Sequence, residues 1–216
     1  MNVADFRREY SLDGLRRADL NANPISQFQK WFEQAAAVLA KKKLDVNAAT
    51  LATADKNGIP SARIVLLKVI DDDRGFIFFT NYESRKGREL AENPNASLVF
   101  YWAELERQIC IAGPVAKIGR DKSEKYFKSR PRGSRLAAWA SNQSDVVADR
   151  AALEKRWNEM TAKFPGDDIP LPPNWGGYVL KPERIEFWQG RPNRLHDRFC
   201  YAREADDSWK LSRLAP

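Results

Sequence analysis

The stretch KYFKSRPRGS places a phenol, a guanidinium and a hydroxyl four residues apart, as Tyr126, Arg130 and Ser134. If a helical turn carries loosely past Pro131, that spacing turns all three toward one point. Such a constellation suits a phosphate dianion, which arginine meets through two parallel N–H bonds. A second set lies in TNYESRKGREL, where Thr80, Ser84, Arg85 and Lys86 fall at the junction of a strand and a helix. Hydroxyls, a helix N-terminus and two cations make a phosphate cradle. RIVLLK adds a cation at each end of an apolar strand: Arg63, Val65 and Leu67 share one face, and Ile64, Leu66 and Lys68 share the other. QGRPNRLHDRFC holds the only histidine, His196, among Arg191, Arg194 and Arg198, with Trp188 just before it. Cations nearby disfavour imidazolium, so a neutral ring there fits an anion or an electron-rich ring beside it. Taken singly, these stretches also read as strand-end charges, an N-cap or a solvated basic loop. Together they make two phosphate sites and one site for an aromatic group, the inventory of an enzyme with a phosphorylated cofactor and a phosphorylated substrate.

Composition narrows the alternatives. The chain has 216 residues, 43% of them hydrophobic and 30% charged, as expected of a globular protein with a real core. No apolar run approaches the roughly 20 residues of a membrane span, and the N-terminus lacks the apolar core of a secretory signal, so no membrane role and a cytoplasmic location are expected. Cys110 and Cys200 are far apart and read as free thiols. One histidine and two cysteines make a poor zinc set, and no metal is expected. The net charge of +7 admits nucleic acid or small anions as partners. The densest basic stretch, residues 120–135, is short and hydroxyl-rich. A nucleic-acid-binding barrel would instead interleave exposed aromatics with cations along a strand face, so no nucleic-acid partner is expected.

These residues need elements to hold them. Residues 1–20 have few apolar anchors and read as a mobile arm, with one domain over 21–216. NPISQFQKWFEQAAAVLAKKK predicts a helix with Asn23 as cap, Pro24 at its first position, and Phe28, Trp31, Phe32, Ala35 and Leu39 on one face. Strands follow: AATLATAD and SARIVLLKVI about an Asn57-Gly58 hairpin, then GFIFFTN, ASLVFYW and RQICIAGPVAKIG. Ser84 caps a short helix, DKSEKYFKSR forms another that stops at Pro131, and residues 149–164 form an amphipathic one with Leu153, Trp157, Met160 and Phe164 in a stripe. YVLKPERIEFWQ, RFCYARE and SWKLSRLAP read as three closing strands. Strands that follow strands predict a mostly β protein: an antiparallel sheet closed into a barrel, with flanking helices. There is no GxGxxG and no GxxxxGK[ST].

The motifs RIVLLK, TNYESRK, ERQICIAG, KYFKSRPRGS, WASNQS, WGGY, IEFWQG, RLHDRFCY and WKLSRLAP, in order and almost end to end, resemble the pyridoxine/pyridoxamine 5′-phosphate oxidase family. The resemblance implies an FMN-binding split β-barrel and a homodimer with FMN at its interface. It also implies oxidation of pyridoxine 5′-phosphate or pyridoxamine 5′-phosphate to pyridoxal 5′-phosphate, with hydride passing to flavin N5 and molecular oxygen reoxidising the flavin to give peroxide. By the same resemblance, Arg63, Arg85 and Lys86 hold the FMN phosphate with Thr80 and Ser84. Ile64, Val65 and Leu66 line the flavin, and Lys68 borders it. Gln108, Gln143, Ser144, Trp188 and Arg198 touch it, largely across the dimer interface. Lys68, Tyr126, Arg130 and Ser134 hold the phosphate of a small pyridine substrate, Arg194 and His196 flank its ring as the catalytic pair, and Arg7 and Tyr10 belong to a segment that closes over the site. Phe79 replaces a tyrosine expected before TN, and SRLAAW stands where SQIGAW is more usual. Phe79 thereby lacks one hydroxyl contact to FMN. A related flavin oxidase acting on another aromatic substrate, or a non-catalytic FMN or pyridoxal phosphate binding protein, would keep many of these residues.

Overall fold

The computed structural model describes residues 1–5 and 9–216. Arg7, expected in the closing segment, lies outside the described residues. The first helix, α1 (Pro24–Leu39), begins as its sequence requires. The Asn23 side chain accepts from the amides of Ile25 and Ser26, at 2.8 and 3.3 Å, and Pro24 sits where an N–H has no helical partner to lose. Phe28, Trp31, Ala35 and Leu39 are buried on one face, with Phe32 partly buried beside them.

Nine strands follow, all antiparallel: β1 (Ala48–Ala54), β2 (Pro60–Asp71), β3 (Gly75–Asn81), β4 (Asn95–Trp102), β5 (Arg107–Lys117), β6 (Trp175–Leu180), β7 (Arg184–Gln189), β8 (Asp197–Arg203) and β9 (Trp209–Leu214). Their order is β4-β1-β2-β3-β6-β5, and β5 pairs back with β4, so six strands close a barrel. β7, β8 and β9 continue outward from β5. β5 is therefore shared. It pairs with β4 along its length, with β7 over Arg107–Ala112 and with β6 over Val115–Lys117. The α1 face meets the barrel interior edge-on through Phe28 against Phe76 of β3 and Phe100 of β4, while Trp31 meets Phe187 of β7.

Four strands close the chain rather than three. YVLKPERIEFWQ breaks at Lys181–Glu183 because Pro182 cannot donate to a ladder. There the chain crosses from β6 to β7 over Gly113, where a Cβ would stand only 2.1 Å from the Lys181 carbonyl oxygen. The remaining helices are α2 (Arg85–Glu92), α3 (Arg120–Ser129), α4 (Arg132–Ala140) and α5 (Arg150–Lys163). α4 is an addition to the sequence reading, since Pro131 ends one helix and caps the next. α5 differs from expectation as well. None of its residues is fully buried, and Trp157 is 37% exposed, because α5 leans mainly on α4 and not on the barrel.

Residues 9–20, read as an arm, lie against the extension of the sheet. Glu106 accepts from the Ser11 and Leu12 amides at 3.0 and 3.1 Å, and Asp197 accepts from the Leu15 amide at 3.0 Å. Leu15 is buried. No helix among the described residues is long and apolar enough to cross a membrane.

Candidate functional site

A cleft of about 600 Å³ opens beside the outer face of β2. Ile64, Leu66 and Lys68 line it, as their shared face predicts, and Val65 contributes from the strand itself. The β2–β3 register slips between Leu67 and Val69, so Lys68 stands at a bulge, a device that re-aims a side chain. The far wall comes from Phe79, Tyr126, Arg130, Ser134 and Trp175. Tyr126, Arg130 and Ser134 do converge, but not on one continuous helix. Arg130 is extended (φ −75°, ψ 148°) between α3 and α4, so Tyr126 comes from the last turns of one helix and Ser134 from the first turn of the next.

An aromatic stack braces this wall. Phe79 and Tyr126 lie face to face with centroids 3.8 Å apart, and Trp175 stacks on Phe79 at 5.6 Å. The Arg130 guanidinium carbon lies 4.6 Å from the Trp175 ring centroid, in cation–π range. Burial depresses the Arg130 pKa and raises that of the Tyr126 phenol. Arg130 Nη1 is buried and has no hydrogen-bond partner. Buried polar groups are almost always paired, so this nitrogen is an exception in the wall of the cleft.

Thr80, Lys86 and Gln143 also line the cleft. Ser84 caps α2, its Oγ accepting from the Gly87 amide at 3.3 Å. Lys86 Nζ donates to Gln143 Oε1 at 3.1 Å and to Ser84 Oγ at 3.4 Å, and Thr80 Oγ1 donates to the same Gln143 oxygen at 3.2 Å. Burial, and then the charge of Arg63, push the Lys86 pKa down to about 8, against the pull of Glu89. Arg63 and Arg85 sit behind the cleft and both bind Glu89, at 3.2 and 2.8 Å. Gln143 thus joins Lys86 within one chain. Ser144 follows it on a left-handed turn at φ 79°.

A second group of predicted residues assembles elsewhere. The strand register puts Gln108 of β5, Trp188 of β7 and Arg198 of β8 in one row. Arg198 is held by Glu186, at 2.8 Å from both Nε and Nη2, and donates from Nη1 to the Ala215 carbonyl at 2.8 Å. Trp188, His196 and Tyr10 pack together: His196 lies 4.6 Å from Trp188 and 5.4 Å from Tyr10 between centroids. His196 Nδ1 accepts from the Arg191 amide at 3.1 Å, which leaves the proton of a neutral ring on Nε2. Burial, then Arg194, lower the His196 pKa, in keeping with the neutral ring read from its neighbours. Arg194 is exposed and follows Asn193 in the left-handed region, at φ 62° and 55°. For arginine that backbone is costly and clusters at functional sites. None of these residues lines the cleft.

Sequence reasoning missed the carboxylates. Glu89 lies four residues after Arg85, a helical ion-pair spacing that was legible. Glu186 meets Arg198 only through strand pairing, which no local pattern reveals. Among the described residues there is no cluster of metal-ligating side chains.

Residues 33–164 match the family described as pyridoxamine 5′-phosphate oxidase, and residues 175–216 match the pyridoxine 5′-phosphate oxidase C-terminal dimerisation region. Proteins named pyridoxine/pyridoxamine 5′-phosphate oxidase are similar along their whole length. The one from Burkholderia thailandensis is 56% identical over 216 residues, and that from Paraburkholderia phymatum is 55% identical over 214; each match covers 99% of both chains. Among solved structures, PhzG from Burkholderia lata, crystallised with tetrahydrophenazine-1-carboxylic acid, superposes with a TM-score of 0.85 at 36% identity, covering 95% of this chain and 100% of PhzG. A pyridoxamine 5′-phosphate oxidase-related, FMN binding protein from Nostoc punctiforme shares the fold, with a TM-score of 0.71 at 18% identity over 88% of this chain and 97% of its own. A barrel extended by three strands, a cleft lined by Lys68, Lys86 and Arg130, and full-length similarity to curated relatives agree: the chain belongs to the pyridoxamine 5′-phosphate oxidase family of oxidoreductases.

Proposed function

We propose that this protein is a homodimeric, FMN-dependent oxidase that converts pyridoxine 5′-phosphate or pyridoxamine 5′-phosphate to pyridoxal 5′-phosphate, reducing molecular oxygen to hydrogen peroxide. The observation that carries the reading is the buried, unpartnered Arg130 Nη1. Arg130 lines the same cleft as the Lys86 ammonium. Two cationic groups from different elements suit two phosphates, one on the cofactor and one on the substrate.

The donor set at Lys86 fits the phosphate of FMN. Its ammonium touches only a hydroxyl and an amide oxygen, and it stands at the N-terminus of α2, where backbone amides and the helix dipole favour an anion. Lys86, Thr80 and Ser84 would hold that phosphate, with Arg63 and Arg85 behind them. Ile64, Val65 and Leu66 would line the ring system, and Phe79 would brace Tyr126 beside it. When bound, FMN supplies a two-electron acceptor at N5 and a route from there to oxygen.

The chain's own residues do the placing. Arg130 and Lys68 would bind the substrate phosphate as a charge-assisted pair, with Tyr126 and Ser134 adding hydroxyls. His196 Nε2–H would donate to the phenolic oxygen of the pyridine, and Arg194 would lie against the ring and fix the carbon to be oxidised. Tyr10 would cover the ring side and exclude water. Gln108, Gln143, Ser144, Trp188 and Arg198 would contact the flavin. His196 and Arg194 stand apart from the cleft in one chain, so the complete site needs a second copy; the match to a dimerisation region supports this. Orientation of this kind contributes a large share of a rate enhancement. The two free cysteines suit a reducing cytoplasm.

A second reading, oxidation of a carboxylated tricyclic substrate, takes its support from the likeness to PhzG. The decisive experiment records the absorbance spectrum of the purified protein, and then peroxide formation with pyridoxine 5′-phosphate, pyridoxine and tetrahydrophenazine-1-carboxylic acid. A yellow protein that releases FMN and prefers the phosphorylated pyridine is expected. A colourless protein that takes up no added FMN, or one that prefers the tricyclic acid, would reject the proposal.

A further inference from the structure

Glu89 has no role in the assignments above, yet it is the most heavily bonded carboxylate near the cleft. Its side chain is 7% exposed. Oε2 accepts from Thr53 Oγ1 at 2.5 Å, from Ser61 Oγ at 2.6 Å and from Arg63 Nη2 at 3.2 Å, and Oε1 accepts from Arg85 Nε at 2.8 Å. The donors come from three elements: Thr53 from β1, Ser61 and Arg63 from β2, and Arg85 from the first turn of α2. A carboxylate in such a place does more than offset one charge, because it ties a helix end to two strands at the back of the cradle.

The two arginines are gripped differently. Arg63 is fully strapped. Its Nη1 reaches the Leu51 carbonyl at 3.3 Å and also Thr53 Oγ1, while Nη2 reaches Ser61 Oγ and Glu89. Arg85 is held by Nε alone. Its terminal nitrogens have no partner among the described residues, and its side chain is 60% exposed. Held at Nε, a guanidinium presents its remaining fork outward in a fixed plane, the arrangement that binds phosphate through two bonds. Charge points the same way: Arg63, Arg85 and Lys86 against Glu89 leave two net positive charges, the complement of a phosphate monoester dianion.

We propose that Glu89 is a positioning residue of the cofactor site, fixing Arg85 so that its guanidinium meets the FMN phosphate beside Lys86, while Arg63, strapped behind them, adds only its charge. The inference rests on the assignment of that phosphate to Lys86. Two effects compete when Glu89 is neutralised. The cradle gains positive charge, which attracts a dianion, and Arg85 loses its anchor. Arg85 is largely exposed, so solvent screens the extra charge, whereas freeing a long side chain restores rotamer entropy that binding must then remove. The loss of the anchor outweighs the gain in charge.

The test titrates apoprotein with FMN and, separately, with riboflavin, which lacks the phosphate, and reads flavin fluorescence rather than turnover. Glu89→Gln should weaken FMN roughly tenfold, the scale of one misplaced charge-assisted contact, and leave riboflavin affinity unchanged. Glu89→Asp, with its charge kept and its reach shortened, should give an intermediate loss, and it decides the matter if the glutamine variant does not fold. Equal losses on both flavins would make Glu89 a purely structural residue, and unchanged or tighter FMN binding would make it only a charge offset; either result overturns the proposal. Lys86→Met is the control for the underlying assignment. If it weakens FMN and the Glu89 variants do not, the positioning role alone fails. If neither Lys86 nor Glu89 affects the preference for FMN over riboflavin, the phosphate assignment fails with it.

Discussion

The cleft and the Trp188–His196 group differ in how their polar atoms are satisfied. In the cleft, Lys68, Tyr126 and Ser134 make no side-chain hydrogen bond among the described residues, and Arg130 Nη1 is buried without one. Around Trp188 several charged and polar groups are tied down: Arg198 to Glu186 and Ala215, His196 Nδ1 to the Arg191 amide, and Asp197 to Arg213 at 2.7 Å and to the Leu15 amide. A buried unpaired donor costs free energy that a ligand can return, and the more open side chains beside it keep their donors available, so the cleft reads as a receptor. Paired side chains hold their shape without a ligand, so the second region reads as a rigid wall. Among the described residues, Arg194, exposed on its left-handed turn, and His196 Nε2 reach from that wall without a hydrogen-bond partner.

The strongest challenge to this contrast is to divide the two regions between chains. Arg130→Ala and Arg194→Ala homodimers should each be nearly inactive on pyridoxine 5′-phosphate. Unfolded together in equal amounts and refolded, they form mixed dimers in which one site receives both mutations and the other neither. Random pairing should return about one quarter of parental activity. If the mixture stays inactive while mixed dimers are demonstrably present, receptor and wall come from the same chain and the composite site is wrong.

A sharper distinction comes from Arg130→Ala alone. Loss of a charge-assisted contact should lower kcat/KM for the phosphorylated substrate roughly 10- to 100-fold. FMN affinity should barely change, because the FMN phosphate is assigned to Lys86. Loss of FMN in this variant would mean that the two phosphate sites have been exchanged.

The smallest effect concerns pH. Glu89 stays ionised, with its pKa held near 2 by hydrogen bonds that outweigh its burial, so Lys86 is the cradle group that titrates, at about 8. A bound phosphate dianion favours the ammonium and raises its pKa in the complex. FMN binding therefore takes up a proton above pH 8, and affinity should fall as pH rises past that value, by at most roughly tenfold per unit. Riboflavin binding should show no such slope, and Lys86→Arg should abolish it. Equilibrium titration of the apoprotein between pH 7 and pH 9.5 checks this.

Much of this arrangement was legible before any coordinates. α1, the hairpin at Asn57-Gly58 and the first five strands follow from periodicity, capping and turn residues. So do the cleft residues, which fall within short motifs that one strand or one helix end brings together. What escaped depends on distance in sequence. Pro182 marks the break at Lys181–Glu183 locally, but its crossing over Gly113 could not be read from it, and α5 keeps an apolar stripe that the single chain leaves half open. The carboxylates that hold Arg63 and Arg198 are set by packing and register. Cations announce themselves by type, whereas the groups that aim them do not.

β5 has a consequence for how the protein comes into being. The barrel's last seam is β6, which joins β3 to the end of β5. The segment 118–174 between β5 and β6 contains α3, α4 and α5, so the helices that carry Tyr126 and Ser134 lie inside the loop that this seam draws shut. Loop length adds little to the entropy of closure, but pairings so distant in sequence slow the search for the native state. A nascent chain halted before Trp175 has already made Lys68, Lys86, Tyr126, Arg130 and Ser134, yet has no closed barrel on which to assemble them. Under the proposed assignment, FMN would meet a finished receptor only after the C-terminal strands have left the ribosome, and an aborted chain has no completed cleft in which to trap it.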